Sequence, residues 1–239
     1  MWATVKLLAV WVPLGTLAGL IGIPYSLLVR NVRLLYRVTM GIIRLGLRAA
    51  GISVQVEGLE HIPEGRACIF MCNHVSNLDP PVILPVVPGF CSVLLKKELM
   101  SIPLLGTAMR LGGFVPVERG SRRDAAQKSV AAAANALGKG LHMIVFPEGT
   151  RSPDGRLSTF KKGPFFLAQQ TGATIIPVAI CGTERMMRKG VAKIYPGLAT
   201  VRMQSAIDPA EYGSREELLR AVRASIARGL PEEMRPAAE

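Results

Sequence analysis

The pattern in this chain best able to move a proton is a histidine followed five positions later by an aspartate, in Cys72-Asn73-His74-Val75-Ser76-Asn77-Leu78-Asp79. The apolar run 67–71 precedes it, so His74 stands just past an expected strand. Asp79 falls at an expected helix start, where it suits the N-cap and Pro80 and Pro81 suit the first turn. A loop of this length can return the carboxylate to one imidazole nitrogen, leaving the other to accept a proton from a hydroxyl. That is the base and orienting half of a catalytic triad. The chain contains no Gly-x-Ser-x-Gly elbow, and no cysteine sits in a recognisably activated setting, so the hydroxyl to be activated belongs to a substrate. The competing reading is a plain helix cap beside a loop histidine.

A second cluster is Val145-Phe146-Pro147-Glu148-Gly149-Thr150-Arg151-Ser152, again an apolar run entering a polar turn. Glycine lets the backbone approach a ligand, Thr150 and Ser152 offer hydroxyls, and Arg151 offers a planar fork that matches phosphate. Lys161 and Lys162 follow before a helix start. Arg119 closes the run 112–119, and Lys96 and Lys97 close another. Each cation alone reads as a solvated surface group. Several at successive strand ends beside one His/Asp pair read as a phosphate pocket beside a base.

These loops need a scaffold, and the chain from residue 51 onward supplies the pattern of one. Short apolar runs at 53–57, 68–71, 93–95, 114–117, 142–146, 174–180 and 200–203 alternate with helical stretches, the sign of an α/β domain. Residues 122–137 are Ala-rich and close at Gly138 and Gly140. Ser214 with Glu217 forms a capping box that opens a last helix. Cys68, Cys72, Cys91 and Cys181 form no Cys-x-x-Cys pair and no Cys/His ligand spacing. No metal is expected, and the thiols read as small buried apolar groups.

Residues 1–50 have a different character. They hold Lys6, Arg30, Arg33, Arg37, Arg44 and Arg48 and no acid, and so carry six of the twelve formal excess charges of the 239-residue chain. Leu7 to Val29 are 23 consecutive uncharged residues, enough to cross roughly 30 Å of hydrocarbon. Pro13, Gly15, Gly19, Gly22 and Pro24 interrupt them, which suits a kinked pair of half-helices entering one leaflet as well as a span. A cleaved signal peptide is a third reading, poorly matched by a single Lys and no clear cleavage site. From Arg30 to Arg48, at about 100° per residue, the arginines fall within an arc of about 60°. Such a helix suits a bilayer interface, with arginines toward lipid phosphates. A hydrophobic fraction of 49% excludes disorder, and an aromatic fraction of 5% with lipid-type apolar sequence argues against nucleic acid. The expected organisation is a membrane-associated helical module at 1–50, an α/β domain at 51–230 and a tail at 231–239.

Asn73-His74 with Asp79, the 114–119 segment, Phe146-Pro147-Glu148-Gly149-Thr150-Arg151 and Ile176-Pro177-Val178 together resemble, in order and spacing, the four blocks of the glycerolipid acyltransferase family, specifically the 1-acyl-sn-glycerol-3-phosphate acyltransferases. The resemblance covers about residues 60–185 and implies a mixed β-sheet flanked by helices, an α/β fold. It implies transfer of a fatty acyl group from acyl-CoA or acyl carrier protein to the sn-2 hydroxyl of lysophosphatidic acid, at the cytoplasmic face of a bacterial-type inner membrane. No cofactor is implied beyond that co-substrate, and no nucleic acid or metal. Carried over, His74 is the base and Asp79 its orienting partner. Arg119, Glu148, Gly149, Thr150 and Arg151 bind the acceptor's phosphate and glycerol, Lys96 and Lys161 add phosphate contacts, and Pro177 shapes the acyl-donor side. Glu118 beside Arg119 departs mildly from the pattern and could pair with it. Another lysophospholipid or glycerol-3-phosphate as acceptor needs the same residues, and a membrane-tethered lipid-binding protein is the non-enzyme alternative.

Overall fold

The computed structural model describes residues 2–117, 123–188 and 190–236. Seven strands form one sheet: β1 (Ile52–Glu57), β2 (Ile69–Cys72), β3 (Cys91–Lys96), β4 (Val115–Val117), β5 (His142–Val145), β6 (Ile175–Cys181) and β7 (Gly197–Met203). All seven expected apolar runs are strands, within a few residues. Their spatial order is β1-β7-β6-β2-β5-β3-β4, with every neighbouring pair parallel except β6 and β7. The sheet is therefore mixed. Successive side chains of β2 go to opposite faces: Phe70 and Cys72 join one core, Ile69 and Met71 the other. Near-continuous apolar runs, rather than alternating ones, follow from burial on both faces.

The helices are α1 (Trp2–Leu28), α2 (Arg33–Ala49), α3 (Asp79–Ile83), α4 (Leu105–Leu111), α5 (Arg123–Gly138), α6 (Gly163–Thr171), α7 (Thr183–Met186) and α8 (Arg215–Gly229). The core on one face takes in Leu7 of α1, Tyr36, Met40 and Leu47 of α2 and Val82 and Ile83 of α3. The other takes in Ala133 and Leu137 of α5, Phe165 and Leu167 of α6, and Leu218, Val222 and Ile226 of α8. Residues 1–50 thus differ from the rest in composition and yet share its core. Ser214 caps α8 as expected, accepting from Glu217 N at 3.2 Å. The described part of the tail, to residue 236, is docked as well, since Met234 is buried and its carbonyl accepts from Leu157 N at 2.8 Å.

Three local expectations are corrected. Helix α1 runs unbroken through Pro13 and Pro24. Each proline removes one backbone bond, a cost that packing along α2 and the domain offsets. The arginine stretch is not one helix, because Arg30 has φ 51° and the chain turns before α2 begins at Arg33. Arg33, Arg37, Arg44 and Arg48 remain on α2. The turn makes α1 and α2 an antiparallel hairpin, in which Gly22 packs on Leu35 and close packing requires Gly46 opposite the Trp11 ring, where a Cβ would collide. Finally, Asp79 is not the N-cap of α3. Leu78 holds that position and Asp79 is the first helical residue.

The sheet topology places the loops. β2, β3, β4, β5 and β6 run in one direction, so their carboxyl ends share an edge. β1 and β7 run the other way and begin at that edge, where Cys181 of β6 lies opposite Thr200. The chain leaves α2 at Ala49 and enters β1 at Ile52. The basic hairpin therefore feeds the sheet at the edge where the polar loops lie.

Candidate active site

His74 follows β2, the strand flanked by β5 and β6. Its Nδ1 lies 2.8 Å from Asp79 Oδ2. The same oxygen accepts from the backbone N–H of Val75 and of Ser76, each at 2.8 Å. The other oxygen, Oδ1, accepts from Thr183 Oγ1 at 2.5 Å. Asp79 thus caps the loop before its own helix, which explains why it sits one residue inside α3. A carboxylate can only accept from Nδ1–H, so the tautomer presents the lone pair at Nε2. The histidine side chain is 12% exposed and that of the aspartate 0%. The imidazole is reachable while the carboxylate is sealed from water.

The loop after β5 is stitched to the His74 loop. Glu148 Oε1 accepts from His74 N at 2.6 Å, and Oε2 accepts from Ser158 N at 3.0 Å. Ser152 N donates to His74 O at 2.8 Å. The Phe146 ring lies against the imidazole with centroids 4.3 Å apart. On the other side, the Asn73 side-chain amide bridges to β6, Nδ2 donating to Ile180 O at 2.9 Å and Oδ1 accepting from Ile180 N at 2.7 Å. Burial pushes the Glu148 carboxyl above its usual range, against the pull of the His74 and Ser158 amides. A buried carboxylate with both oxygens on backbone amides is a strut. Glu148 thereby ties the His74 loop to the chain at Ser158.

Gly149 has φ 72°, and a Cβ there would lie 3.3 Å from Lys161 Cγ. Glycine is needed at this turn both for its backbone and to let the lysine stem lie across it. Lys161 N donates to Pro147 O at 2.7 Å, which holds that register. Thr150 is exposed and Arg151 half-buried, next to the Ser152 amide that binds His74 O. Thus Gly149, Thr150, Arg151 and Lys161 gather on the loop that touches the base. Lys96 ends β3, two strands from β2, and is exposed with Glu98 at 3.6 Å. Glu118 and Arg119 lie outside the described residues.

The sequence profile of a family described as Acyltransferase matches residues 53–181, more than half of the chain. The chain belongs to the acyltransferase family. Similar proteins include the 1-acyl-sn-glycerol-3-phosphate acyltransferase of Limnanthes alba, 31% identical over 188 residues, or 78% of this chain and 66% of that protein. The chloroplastic 1-acyl-sn-glycerol-3-phosphate acyltransferase LPAT1 of Arabidopsis thaliana is 36% identical over 57% of this chain and 38% of its own length. The alpha form from Homo sapiens is 32% identical over 64% and 54%. The chain therefore spans less than two thirds of the length of these curated relatives. The crystal structure of the 1-acyl-sn-glycerophosphate (LPA) acyltransferase PlsC from Thermotoga maritima matches with a TM-score of 0.82 at 31% identity, over 95% of this chain and 92% of that one. The α/β acyltransferase fold expected from the four blocks is thus the fold observed.

In this family member some contributors to the site, Thr183 and Ser158 among them, carry no motif signal in the sequence. Thr183 follows β6 at the start of α7, and Ser76 Oγ donates to Met187 O at 2.8 Å, tying the His74 loop to the residue after that helix. Ser158 and Phe146 act through Glu148 and the imidazole face. The one available sign for Thr183 was its place beyond the carboxyl end of a central strand, where ligand loops gather in open α/β sheets. The cysteines behave as expected. Cys68, Cys72 and Cys91 are buried and Cys181 half-buried, all as free thiols. Burial pushes Cys91 up to about 12 and Cys181 to about 11, far from a nucleophilic thiolate.

Proposed function

We propose that this chain transfers a fatty acyl group from an acyl thioester, carried by coenzyme A or acyl carrier protein, to the free sn-2 hydroxyl of lysophosphatidic acid, giving phosphatidic acid. The observation that carries the reading is the His74–Asp79 pair at 2.8 Å, which leaves Nε2 of a partly exposed imidazole to meet a substrate hydroxyl. His74 Nε2 takes the hydroxyl proton as the sn-2 oxygen attacks the thioester carbonyl. The tetrahedral adduct collapses, the C–S bond breaks, and the thiolate leaves and collects the proton. Asp79 stabilises the imidazolium in between. General-base help of this kind is worth about 10²–10⁴ in rate, and positioning supplies much of the rest. Arg151 and Lys161, joined on the four-block resemblance by Arg119 and Lys96, meet the acceptor phosphate. The relatives named 1-acyl-sn-glycerol-3-phosphate acyltransferase support this choice of acceptor.

The same reading places α1 flat in one leaflet. Its 27 residues are long and apolar enough to cross a membrane, but Thr4 Oγ1 accepts from Ile194 N at 2.8 Å, and Gly19 packs on Leu104. A helix bound to the same domain near its start and past its middle has no free length of about 20 residues to span with. Trp2, Val12, Leu20, Ile21 and Leu28 are exposed along its whole length. Apolar exposure from end to end, with Arg30 and Arg33 at the hairpin turn, fits a helix lying in the interface plane. Basic residues of α2 favour the anionic cytoplasmic leaflet.

The test is direct. Purified protein is incubated with acyl-CoA or acyl carrier protein thioester and, separately, lysophosphatidic acid, a neutral-headgroup lysophospholipid or glycerol-3-phosphate. Phosphatidic acid is the expected product, with turnover lowered several orders of magnitude in a folded His74→Ala variant. Normal transfer by that variant, or a preference for another acceptor, overturns the mechanism or the acceptor respectively.

A further inference from the structure

The segment after β3 reverses within ten residues and presents oily side chains at its outer edge. A short 3-10 turn spans Lys97–Ser101, and α4 begins at Leu105. Between them Leu104 has φ 58° and ψ −55°, and Leu105 N–H donates to Pro103 O at 2.6 Å. This is a three-residue γ-turn of the strained, positive-φ kind. A leucine held there costs of order 1–3 kcal/mol unless its surroundings over-determine it. Packing against α1 does so: a Cβ built on Gly19 would lie 3.1 Å from Leu104 Cβ, so the helix backbone rests directly on the leucine side chain.

With Leu104 turned inward, Leu99, Ile102 and Leu105 point out, at 39%, 43% and 42% exposure. They adjoin the part of α1 where Leu17, Leu20 and Ile21 are exposed around Gly19. We propose that residues 99–105 form a second lipid-inserting element, which enters the acyl-chain region of the same anionic leaflet beside α1.

Three observations favour lipid as the occupant. The segment is continuous with the exposed apolar face of α1 through the Gly19–Leu104 contact. It follows the carboxyl end of β3, at the sheet edge that carries His74. Lys96 and Lys97 are exposed immediately before it, a placement that sets cations at phosphate depth and leucines below. A turn already fixed by packing also loses little conformational freedom on insertion. The consequence is a molecule seated on both sides of its site, with α1 on one flank and the β3 turn on the other. The proposal rests on the interfacial placement of α1.

Nitroxide labels on single cysteines test it, in the full chain on a Cys181→Ser background bound to vesicles of phosphatidylcholine and phosphatidylglycerol. The positions are Leu8→Cys on α1, Ile102→Cys, and Lys139→Cys, an exposed residue before β5 at the opposite edge. Labels at 8 and 102 should relax faster with oxygen than with a water-soluble nickel chelate, and the label at 139 should do the reverse. A lipid signal at 8 with an aqueous one at 102 overturns the proposal and leaves the placement of α1 standing. Aqueous signals at both overturn the two together. Dipolar broadening between labels at 102, with neither relaxant effective, marks a second copy of the chain as the occupant and also overturns it. As a second readout, Ile102→Asp should weaken vesicle binding roughly tenfold at unchanged thermal stability. Unaltered binding refutes the proposal.

Discussion

Thr183 Oγ1 donates to Asp79 Oδ1 at 2.5 Å, on the carboxylate oxygen opposite the one that holds His74. The two residues are 104 positions apart and both are fully buried. The orientation of His74 is therefore set from the start of α7, just past β6, as well as from its own loop.

Thr183→Val removes that hydroxyl at nearly constant volume and leaves a buried carboxylate oxygen without its donor. Stability should fall by about 1–3 kcal/mol, and kcat should drop with acceptor KM little changed. Thr183→Ser should restore both, because it keeps the hydroxyl. Chemical denaturation and steady-state kinetics on the three proteins check this; a valine variant with wild-type kcat removes Thr183 from the positioning network.

Glu148→Gln replaces an acceptor by a donor where two backbone N–H groups converge. One of the amides of His74 and Ser158 is left facing an NH₂ group, at a cost of about 1–3 kcal/mol. The expected kinetic signature is a loss in kcat, since the residue holds the base. If instead only acceptor KM rises, Glu148 is a substrate ligand and the strut assignment is wrong.

Gly149→Ala forces a side chain into a left-handed conformation, costing about 1–2 kcal/mol, and presses on the Lys161 stem at 3.3 Å. A shifted lysine should raise acceptor KM more than it lowers kcat. Kinetics with varied lysophosphatidic acid separate the two; equal changes in both parameters would count against a phosphate role for Lys161.

His142 supplies a pH dependence. Its Nδ1 accepts from Cys68 N at 3.1 Å, and burial lowers its pKa from the usual 6.5. Folding favours the neutral ring, so this contribution to stability is present above 6.5 and is lost as pH falls through the depressed value. His142→Asn keeps an acceptor oxygen without a titrating ring. Thermal melts of both proteins at several pH values below about 7 should show a shallower decline for the variant, and parallel curves would refute the assignment.

Much of the fold was readable because its signals are local. Apolar runs marked all seven strands, and Ser214 with Glu217 marked the start of α8. The short α4 and α7 escaped notice, because four to seven residues carry too little periodicity to register. The antiparallel β7 also left no mark in the chain, since strand direction depends on which partner a strand meets. At the site, His74 and Asp79 were legible as a pair since one loop joins them. The bonds from Glu148 to the His74 and Ser158 amides were not legible, because a carboxylate next to Gly149 and Arg151 has the same sequence appearance whether it faces a ligand or a backbone amide.

The amino-acid sequence was enough to mark a His/Asp pair suited to proton transfer, cations at strand ends, and an N-terminal region whose charge and apolarity suit a lipid surface. Those properties reside in residue types and short spacings. Three other matters depended on the folded chain: that Thr183 bonds to Asp79 and Glu148 to the His74 amide, that the prolines of α1 leave it whole, and that this helix is bound to the domain near its start and past its middle. Each arises from contacts between residues far apart in the chain, where burial and hydrogen-bond geometry choose among partners that local pattern leaves equivalent.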